Sequence, residues 1–285
     1  MPKKIMLILK FFFIFTIYIT INCFSPDERE AETFNDGERP FFQYNPELNY
    51  YFCEPWNYYE KCNRGRVYPL VVFLHGSGGA GNISYLNYLG YDSNDGHDDP
   101  KAKKFQIEHP SFVLIPQTSG SWDNSSIITL IESFKSIYRI DTDCIYLIGY
   151  SMGGSGSYSL SNDYYDYNGT LFAGIIRLAG QSQTVVRNAI SEKTSIWMHI
   201  GLDDDAVRIQ VTRDAYTFLK TYHSTAAETT VTNSNTGYEA TTLTLTKNGI
   251  EVAKKTEYVG VGHGIATLPF NDEYLIKWLY SQTIR

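Results

Sequence analysis

The chain of 285 residues has little positive charge and no low-complexity tract or internal repeat. Its 24 lysines and arginines are outnumbered by 31 aspartates and glutamates, which gives a formal net charge of -7. Because nucleic-acid affinity rests largely on basic side chains that neutralise phosphates, this balance argues against a nucleic-acid partner. Hydrophobic residues make up 43% of the chain. The composition therefore indicates a globular protein with a core large enough for a single α/β domain.

A long hydrophobic run is confined to the first 25 residues. Lys3 and Lys4 precede the uncharged stretch FFFIFTIYITINCF at positions 11–24, an arrangement typical of an export signal. The stretch is short for a membrane span, although the preceding IMLIL lengthens it. We therefore expect residues 1–24 to be a signal peptide or an uncleaved signal anchor, with cleavage near Cys23 or its lipidation both open. The protein is expected to be secreted or extracytoplasmic, and to meet a membrane only through this segment if it is retained or lipidated.

Cysteines are scarce, since the chain has four of them. Cys53 and Cys62 lie nine residues apart in a polar segment, and such a pair can close a loop in an oxidising compartment. We therefore expect a disulfide between Cys53 and Cys62. Cys144 starts the apolar run CIYLIG, so we expect a buried side chain there rather than a reactive thiol.

The sequence after the signal divides into two parts. Residues 25–42 are acidic and aperiodic, which predicts a polar linker. Over residues 43–285, short apolar runs alternate with longer helical stretches. This pattern predicts an α/β fold with a mostly parallel central sheet and helices on both faces, in one domain over residues 43–285. The expected strands are YPLVVFLHG, SFVLIPQT, CIYLIGYS, FAGIIRLAG, SIWMHIGL and TEYVGVGH, and the expected helices are SSIITLIESFKSIY, AVRIQVTRDAYTFLKTYH and DEYLIKWLYSQ.

One segment breaks this alternation of strands and helices. TTLTLTKNGIEVAKKTEYV alternates with a period of two around KNG, which predicts a β-hairpin preceding the last strand. Ligands in open α/β sheets bind at the carboxyl ends of the strands. We therefore expect the functional residues directly after the predicted strands.

The string GYSMG at positions 149–153 lies between a predicted strand and a predicted helix. Glycine at both ends suits a sharp strand-to-helix turn, because the backbones come too close together to leave room for a Cβ. Ser151 would then project from this turn as a nucleophile. A glycine-rich turn without chemistry is the competing interpretation, since the string alone is weak evidence. The agreement of strand, turn and helix favours the nucleophile.

A second glycine-rich turn, HGSGGAGN, follows the predicted strand VVFL. Small residues leave backbone N–H groups accessible, and an acyl-transfer site needs two such donors for the developing oxyanion. We assign these donors to Ser77 and to Met152, the residue after the nucleophile. A phosphate-binding loop is the competing interpretation, but the Gly-Lys-Ser/Thr ending is missing. His75 precedes the loop and is expected to hold it in place.

A general base must lie in a loop after a strand and be free to reach the serine. His263, in VGVGHGIA, lies among glycines before the last predicted helix, so we assign it this role. His199 lies inside an apolar run and is expected to be buried, while His97 is expected to be a solvated loop residue. The chain order serine, acid, histidine is that of an α/β-hydrolase triad, which places the acid between Ser151 and His263. The three aspartates at 203–205 form the acidic cluster in that interval that follows a predicted strand.

The chain resembles secreted α/β-hydrolases of the carboxylesterase, feruloyl esterase and acetylxylan esterase type, with polyhydroxybutyrate-depolymerase-like and prolyl-oligopeptidase-like relatives. The resemblance rests on YPLVVFLHGSGG, FVLIPQTSGSW, IDTDCIYLIGYSMGG, GLDDDAV and GHGIATLPFNDEYLIKWL, which fall within residues 68–279. Two positions depart from the family pattern. Ile200 stands before the glycine where histidine is usual, and Cys144 stands where arginine is common.

The resemblance also selects one of the three aspartates. In that family the acid commonly occupies a Gly-x-x-Asp-x-x-Val pattern, and Gly201 and Val207 align this pattern on Asp204. Asp203 is then expected to be a solvated loop residue. Asp205 is expected to favour the start of the following helix through the helix dipole.

The resemblance implies a serine hydrolase that cleaves carboxylic esters through an acyl-enzyme, with Ser151, His263 and Asp204 as its triad and no metal or organic cofactor. Export and the resemblance favour feruloyl or acetyl esters on plant polysaccharides, with peptidase or lipid-esterase activity as the alternative. A catalytically dead hydrolase fold that serves as a binding module is a further alternative. Trp122 is expected either to line the acyl pocket or to pack over the sheet edge. We expect a small-molecule or polysaccharide ester as the partner, and a monomer.

Overall fold

A ten-stranded sheet runs through the part of the chain that the structure describes. The computed structural model describes residues 43–45, 50–55, 57–77, 79, 108–118 and 120–285. The predicted signal at 1–24, the predicted linker at 25–42 and His97 lie outside these residues. The strands are β1 (Gln43–Asn45), β2 (Tyr50–Cys53), β3 (Tyr68–Leu74), β4 (Phe112–Pro116), β5 (Ile140–Tyr150), β6 (Gly174–Leu178), β7 (Ser195–Gly201), β8 (Ala227–Asn233), β9 (Ala240–Lys247) and β10 (Ile250–Tyr258).

Helices follow most of the central strands. Over the described residues they are α1 (Asn124–Ile137), α2 (Met152–Asn168), α3 (Asn188–Ser191), α4 (Ala206–Tyr222) and α5 (Glu273–Tyr280), with short 3-10 turns at Lys61–Asn63 and Leu268–Asn271. None of the helices in this part of the chain is long and apolar enough to cross a membrane.

The centre of the sheet is parallel and its two edges are antiparallel. The spatial order is β1-β2-β4-β3-β5-β6-β7-β10-β9-β8. The strands from β4 to β10 in this order pair in parallel, whereas β1, β2, β9 and β8 add antiparallel strands at the edges. The predicted α/β fold with a mostly parallel central sheet is therefore confirmed.

Both faces of the sheet are covered, as the central strand β3 illustrates. All seven of its residues are buried. Val71 and Phe73 pack in the core that contains α5, while Leu70, Val72 and Leu74 pack in the core that contains residues of α1, α2 and α4. Because successive side chains of a strand point to opposite faces, a strand buried on both sides is a continuous apolar run. This explains why YPLVVFL shows no alternation.

The predicted hairpin is present, but its second strand, β10, is itself the last strand along the chain. Asn248 and Gly249 form the turn between β9 and β10, both with positive φ angles of 54° and 81°, as an Asn-Gly hairpin turn requires. β10 then pairs in parallel with β7 on its other side. The edge strand β8 was not predicted, because six of its seven residues are exposed and its threonine-rich sequence has no apolar period.

The predicted disulfide between Cys53 and Cys62 is wrong. The sulfur atoms of Cys53 and Cys62 are not bonded to each other. Cys53 ends β2 and is buried beside Tyr51 and Val113 in the core, whereas Cys62 lies exposed in a 3-10 turn. Successive side chains of a strand point to opposite faces, and Cys53 packs in the core with Tyr51 whereas Phe52 packs in the core on the other face. Cys144 is buried in the same core.

His199 is a buried titratable group inside this sheet. It lies in β7 with 1% of its surface exposed, and its Nδ1 is 2.9 Å from the Tyr258 hydroxyl. Burial lowers the pKa of His199 to about 3, with a smaller contribution from the positive charge of Lys254. The imidazole of His199 is therefore neutral in the folded protein at ordinary pH.

We predict that His199 makes the fold sensitive to acid. Between pH 6.5 and 3 the unfolded chain binds a proton at this position that the folded chain does not, so the free energy of unfolding falls as the pH is lowered through this window. The effect amounts to about 2 to 3 kcal/mol at pH 4.5. Urea unfolding of wild type and His199→Gln at pH 7.5, 5.5 and 4.5 measures it, and the variant should show the shallower decline. Parallel declines in the two proteins would contradict the assignment.

Candidate active site

Ser151 occupies a strained turn between β5 and α2. Its φ is 54° and its ψ is -111°, a combination that a residue with a Cβ rarely adopts. The backbone N–H of Ser151 donates to the carbonyl of Leu178 at the end of β6, at 2.8 Å. The neighbouring strand therefore holds the turn that carries the predicted nucleophile.

Two glycines make this turn sterically possible. A Cβ on Gly149 would lie 2.2 Å from the carbonyl oxygen of Gly153. A Cβ on Gly153 would lie 1.9 Å from the carbonyl oxygen of Leu74, the last residue of β3. Both distances are far inside van der Waals contact, so glycine is required at both positions. The lack of room for a Cβ that the GYSMG string predicts is therefore found at both glycines.

Ser151, His263 and Asp204 form a hydrogen-bonded chain. His263 Nε2 lies 2.9 Å from Ser151 Oγ, and His263 Nδ1 lies 2.8 Å from Asp204 Oδ2. A carboxylate accepts only, so Nδ1–H donates to Asp204, and Nε2 is left to accept the proton of the serine hydroxyl. The structure thus brings together the three residues that the sequence predicted as the triad, in an arrangement that can move a proton from Ser151.

The loops that carry Asp204 and His263 are fixed to each other. Asp204 follows β7 and His263 follows β10, and these strands are parallel neighbours with Gly201 paired to Tyr258. The backbone N–H of Asp203 donates to the carbonyl of Val261 at 2.9 Å. Adjacent strand ends therefore set the distance between the acid and the histidine.

The three consecutive aspartates have different environments. The side chain of Asp204 is only 2% exposed, and its Oδ1 accepts from the backbone N–H of Asp205 at 2.7 Å. Asp205 is the N-cap of α4, because its Oδ1 accepts from the backbone N–H of Val207 at 2.8 Å. Asp203 is exposed to solvent. Of the three, Asp204 alone contacts His263.

Tyr150, which was not predicted, supports His263. Its hydroxyl donates to the backbone carbonyl of His263 at 3.0 Å, and the two rings lie 5.4 Å apart between centroids. Tyr150 immediately precedes the nucleophile, so the turn that presents Ser151 also restrains the histidine loop. The two residues are 113 positions apart, and no local pattern in the sequence indicates this contact.

The predicted oxyanion loop lies beside the nucleophile. A Cβ on Gly76 would be 3.0 Å from the Tyr150 ring and 3.4 Å from Ser151 Cβ, and exposed Ser77 comes next in the chain. Met152 is the first residue of α2. The assignment of their backbone N–H groups as oxyanion donors stays a prediction.

His75 is buried beneath this loop. Its Nδ1 lies 2.7 Å from the carbonyl of Gly76, and the backbone N–H of Thr118 donates to its Nε2 at 3.3 Å. Burial lowers the pKa of His75. With both ring nitrogens engaged, His75 holds the loop, as expected, and is not placed to act as a base.

Trp122 packs behind the same loop. Its ring centroid is 4.7 Å from that of His75, and it lies so close to α2 that a Cβ on Gly156 would be 2.5 Å from it. Trp122 therefore supports His75 from the side of the helix. A contact of Trp122 with the acyl group of a substrate stays a prediction. Within the described residues, no group of three or more His, Cys, Asp or Glu side chains lies close enough together to hold a metal ion.

Solved esterase structures share this architecture. No protein-family model matches the chain, and no curated protein matches it in sequence. A thermostable esterase matches with a TM-score of 0.58 and 23% identity over 87% of this chain and 64% of the esterase, so the chain spans less than two thirds of that protein. An acetyl xylan esterase from Aspergillus awamori matches with a TM-score of 0.57 and 18% identity over 85% of this chain and 98% of its own. A ferulic acid esterase matches with a TM-score of 0.55 and 13% identity over 85% and 96%. At such identities, the likeness shows a common fold.

We predict that Gly153→Ala disrupts the turn around Ser151. The added Cβ would meet the carbonyl of Leu74 at 1.9 Å, and neither backbone can retreat without breaking β3 or α2. We expect a loss of about 3 kcal/mol in the free energy of unfolding, measured by urea unfolding. Gly65→Ala is the matched control, because nothing lies within 4 Å of its Cβ position, and it should change stability by less than about 0.5 kcal/mol. Equal stability of the two variants would refute the proposed crowding.

Proposed function

We propose that this protein, whose chain has the α/β-hydrolase fold, is a serine hydrolase that cleaves carboxylic esters. The observation that carries the proposal is the hydrogen-bonded chain from Ser151 Oγ through His263 to Asp204, with contacts of 2.9 and 2.8 Å. A serine hydroxyl is a weak nucleophile unless an adjacent base removes its proton and a third group orients that base. All three groups are in contact here.

The first half of the proposed reaction forms an acyl-enzyme. The proton of Ser151 passes to His263 Nε2 while Oγ attacks the ester carbonyl, which gives a tetrahedral intermediate with a negatively charged oxygen. The backbone N–H groups of Ser77 and Met152 are proposed to bind this oxygen. His263 then returns the proton to the leaving alcohol as the C–O bond breaks, and the acyl group remains on Ser151.

The second half uses water in place of the serine. His263 removes a proton from a water molecule that attacks the acyl-enzyme, and a second tetrahedral intermediate forms. Collapse of this intermediate returns the proton to Ser151 Oγ and releases a carboxylic acid. Each cycle therefore consumes one ester and one water, and restores the enzyme.

Asp204 is proposed to orient His263 and to stabilise its charged form. Its carboxylate is 2% exposed, and its interaction with an imidazolium is stronger in a poorly solvated site than in water. The contact with Nδ1–H also fixes the tautomer in which Nε2 accepts the serine proton. Replacing the carboxylate by an amide would remove the charge and permit the opposite tautomer.

The proposed substrates are feruloyl or acetyl esters on plant polysaccharides. Two of the solved structures with this fold are a ferulic acid esterase and an acetyl xylan esterase. The N-terminal residues, with Lys3 and Lys4 before an uncharged run, support a proposed secreted or extracytoplasmic location, where such polymers are encountered. We propose a monomer that acts without a cofactor.

The triad variants test the proposed mechanism. A fluorophosphonate probe should label wild type and fail to label Ser151→Ala, because it reacts with an activated serine. Asp204→Asn should lower kcat for p-nitrophenyl acetate by about 10³ to 10⁴, through loss of the charge and the correct tautomer. Asp203→Asn and Asp205→Asn are matched controls one position away, and should retain most of the activity.

Three results would contradict the proposed mechanism or the choice of Asp204 as the acid. Undiminished labelling of Ser151→Ala would exclude this serine as the nucleophile. An unlabelled and inactive wild type would point to a binding module instead. A large loss of kcat in Asp203→Asn with little loss in Asp204→Asn would identify Asp203 as the acid.

A substrate panel tests the proposed specificity. Purified protein is assayed on methyl ferulate, acetylated xylan, a long-chain acyl ester and a prolyl anilide. We expect hydrolysis of the feruloyl or acetyl ester with kcat/KM at least about 100-fold above that of the anilide, a difference of about 2.7 kcal/mol in transition-state stabilisation. Preference for the anilide would favour a peptidase, and preference for the long-chain ester a lipid esterase.

A further inference from the structure

We propose that Arg208 is a positioning residue of the site, which fixes the carboxylate of Asp204 so that it faces His263. This inference rests on the proposed function. Arg208 lies in the first turn of α4, four residues after Asp204, and its Nη1 is 3.2 Å from Asp204 Oδ1. Arg208 therefore adds a cation to the serine, histidine and aspartate, at the oxygen of Asp204 that His263 does not contact.

The two oxygens of Asp204 are used by different partners. Oδ2 accepts from His263 Nδ1, while Oδ1 accepts from Arg208 Nη1 and from the backbone N–H of Asp205. A partial rotation of the carboxylate about its Cβ–Cγ bond would move both oxygens away from these partners and weaken all three contacts. Arg208, four residues after Asp204, therefore adds a second restraint on the orientation of the acid to that of the backbone N–H of Asp205.

The other end of the guanidinium is anchored near the nucleophile. Arg208 Nη2 donates to Gln181 Oε1 at 2.9 Å. The backbone N–H groups of Gln181 and Ser182 both donate to Ser155 Oγ at 3.0 Å, and the N–H of Ser155 donates to the carbonyl of Ser151 at 3.0 Å. Arg208 thus connects the acid after β7 to the first turn of the helix that begins at the nucleophile.

Charge compensation gives Arg208 a second task at the same contact. The side chain of Asp204 is almost fully buried, and a buried carboxylate is unfavourable unless it is paired and hydrogen-bonded. In the proposed mechanism His263 receives the serine proton, so it contributes no positive charge to Asp204 before that step. Among the described residues, the basic side chains in contact with Asp204 are His263 and Arg208, so Arg208 supplies the compensating charge before proton transfer.

The other charged or titratable groups around the pair do not replace this cation. Asp205 caps α4 through Val207 N–H, and Asp203 is exposed; both are negative. Tyr150 contacts the backbone of His263 through its hydroxyl. A cation also repels the imidazolium that forms in the reaction, but Arg208 and His263 bind opposite oxygens of the carboxylate. We therefore expect orientation of Asp204 to outweigh this repulsion.

Arginine is suited to this position because its planar fork carries several donors. One guanidinium binds Asp204 through Nη1 and Gln181 through Nη2, whereas a lysine ammonium at the end of a flexible chain would supply the charge without this fixed geometry. Substitutions can therefore separate the effect of the positive charge from the effect of the bridge, which is the link from Asp204 through the guanidinium to Gln181.

The test measures kcat and KM for p-nitrophenyl acetate in four variants. Arg208→Met removes both the positive charge and the link between Asp204 and Gln181. It should lower kcat by about 10- to 100-fold and change KM by less than about 2-fold, as a misplaced catalytic group would. Arg208→Lys and Gln181→Leu keep a cation at Asp204 but lose the bridge, so each should lower kcat by about 3-fold only. Arg213→Met is the matched control on the same helix, because Arg213 pairs with Glu257 instead, and it should leave kcat unchanged.

A double-mutant cycle with Asp204→Asn separates positioning from general structural support. If Arg208 acts through Asp204, Arg208→Met should change kcat by less than about 2-fold in the Asp204→Asn background. An equal loss in both backgrounds, an unchanged or raised kcat in Arg208→Met, or a Lys variant as poor as the Met variant would overturn the inference. These outcomes apply if the wild type is active. A wild type that hydrolyses no ester would instead overturn the proposed function, and this inference with it.

Discussion

The close approach of α2 to β3 is the constraint on which the site depends. Gly153 leaves no room for a side chain against the carbonyl of Leu74, and this contact brings the start of the helix directly over the strand end. The turn before it must then be sharp, which forces Ser151 into a backbone conformation that costs on the order of 1 to 3 kcal/mol. The bond from Ser151 N–H to Leu178 and the buried packing of β5 stabilise the turn. The serine side chain is consequently presented at the sheet edge.

Once the nucleophile is fixed, the strand order delivers the other groups. Because β3, β5, β6, β7 and β10 are parallel neighbours, their carboxyl ends meet at one edge of the sheet. The loops that follow carry Ser77, Ser151, Gln181, Asp204 and His263 in the same spatial order. Hydrogen bonds between adjacent loops, such as that from Asp203 N–H to the Val261 carbonyl, then remove the freedom that separate loops would have. Residues 112 positions apart, such as Ser151 and His263, reach hydrogen-bonding distance in this way.

Features with a local physical cause could be predicted from the sequence, and those that depend on distant contacts could not. The glycines around Ser151, the buried runs of the central strands and the turn at Asn248 and Gly249 each follow from backbone sterics or burial within a few residues. Chain order after strands predicted an acid among residues 203–205 and the base at His263, and the family resemblance selected Asp204 from the three. The prediction of a disulfide was wrong because the spacing between Cys53 and Cys62 does not show in which direction a side chain of β2 points. The contacts of Tyr150 with His263 and of Arg208 with Gln181 join residues 113 and 27 positions apart, and no local pattern in the sequence reveals such partners.

Burial separates the histidine that can act as a base from those that cannot. The described histidines other than His263 are buried, and burial lowers the pKa of each of them: His75, His109, His199 and His223. Such an imidazole resists protonation because its charged form would lose hydration. His263 differs, since its side chain is 35% exposed and its Nδ1 contacts the carboxylate of Asp204. A base that accepts the serine proton must carry a positive charge for part of the cycle. Partial exposure and a buried anion beside the other ring nitrogen favour that charge, and among the described histidines His263 has both.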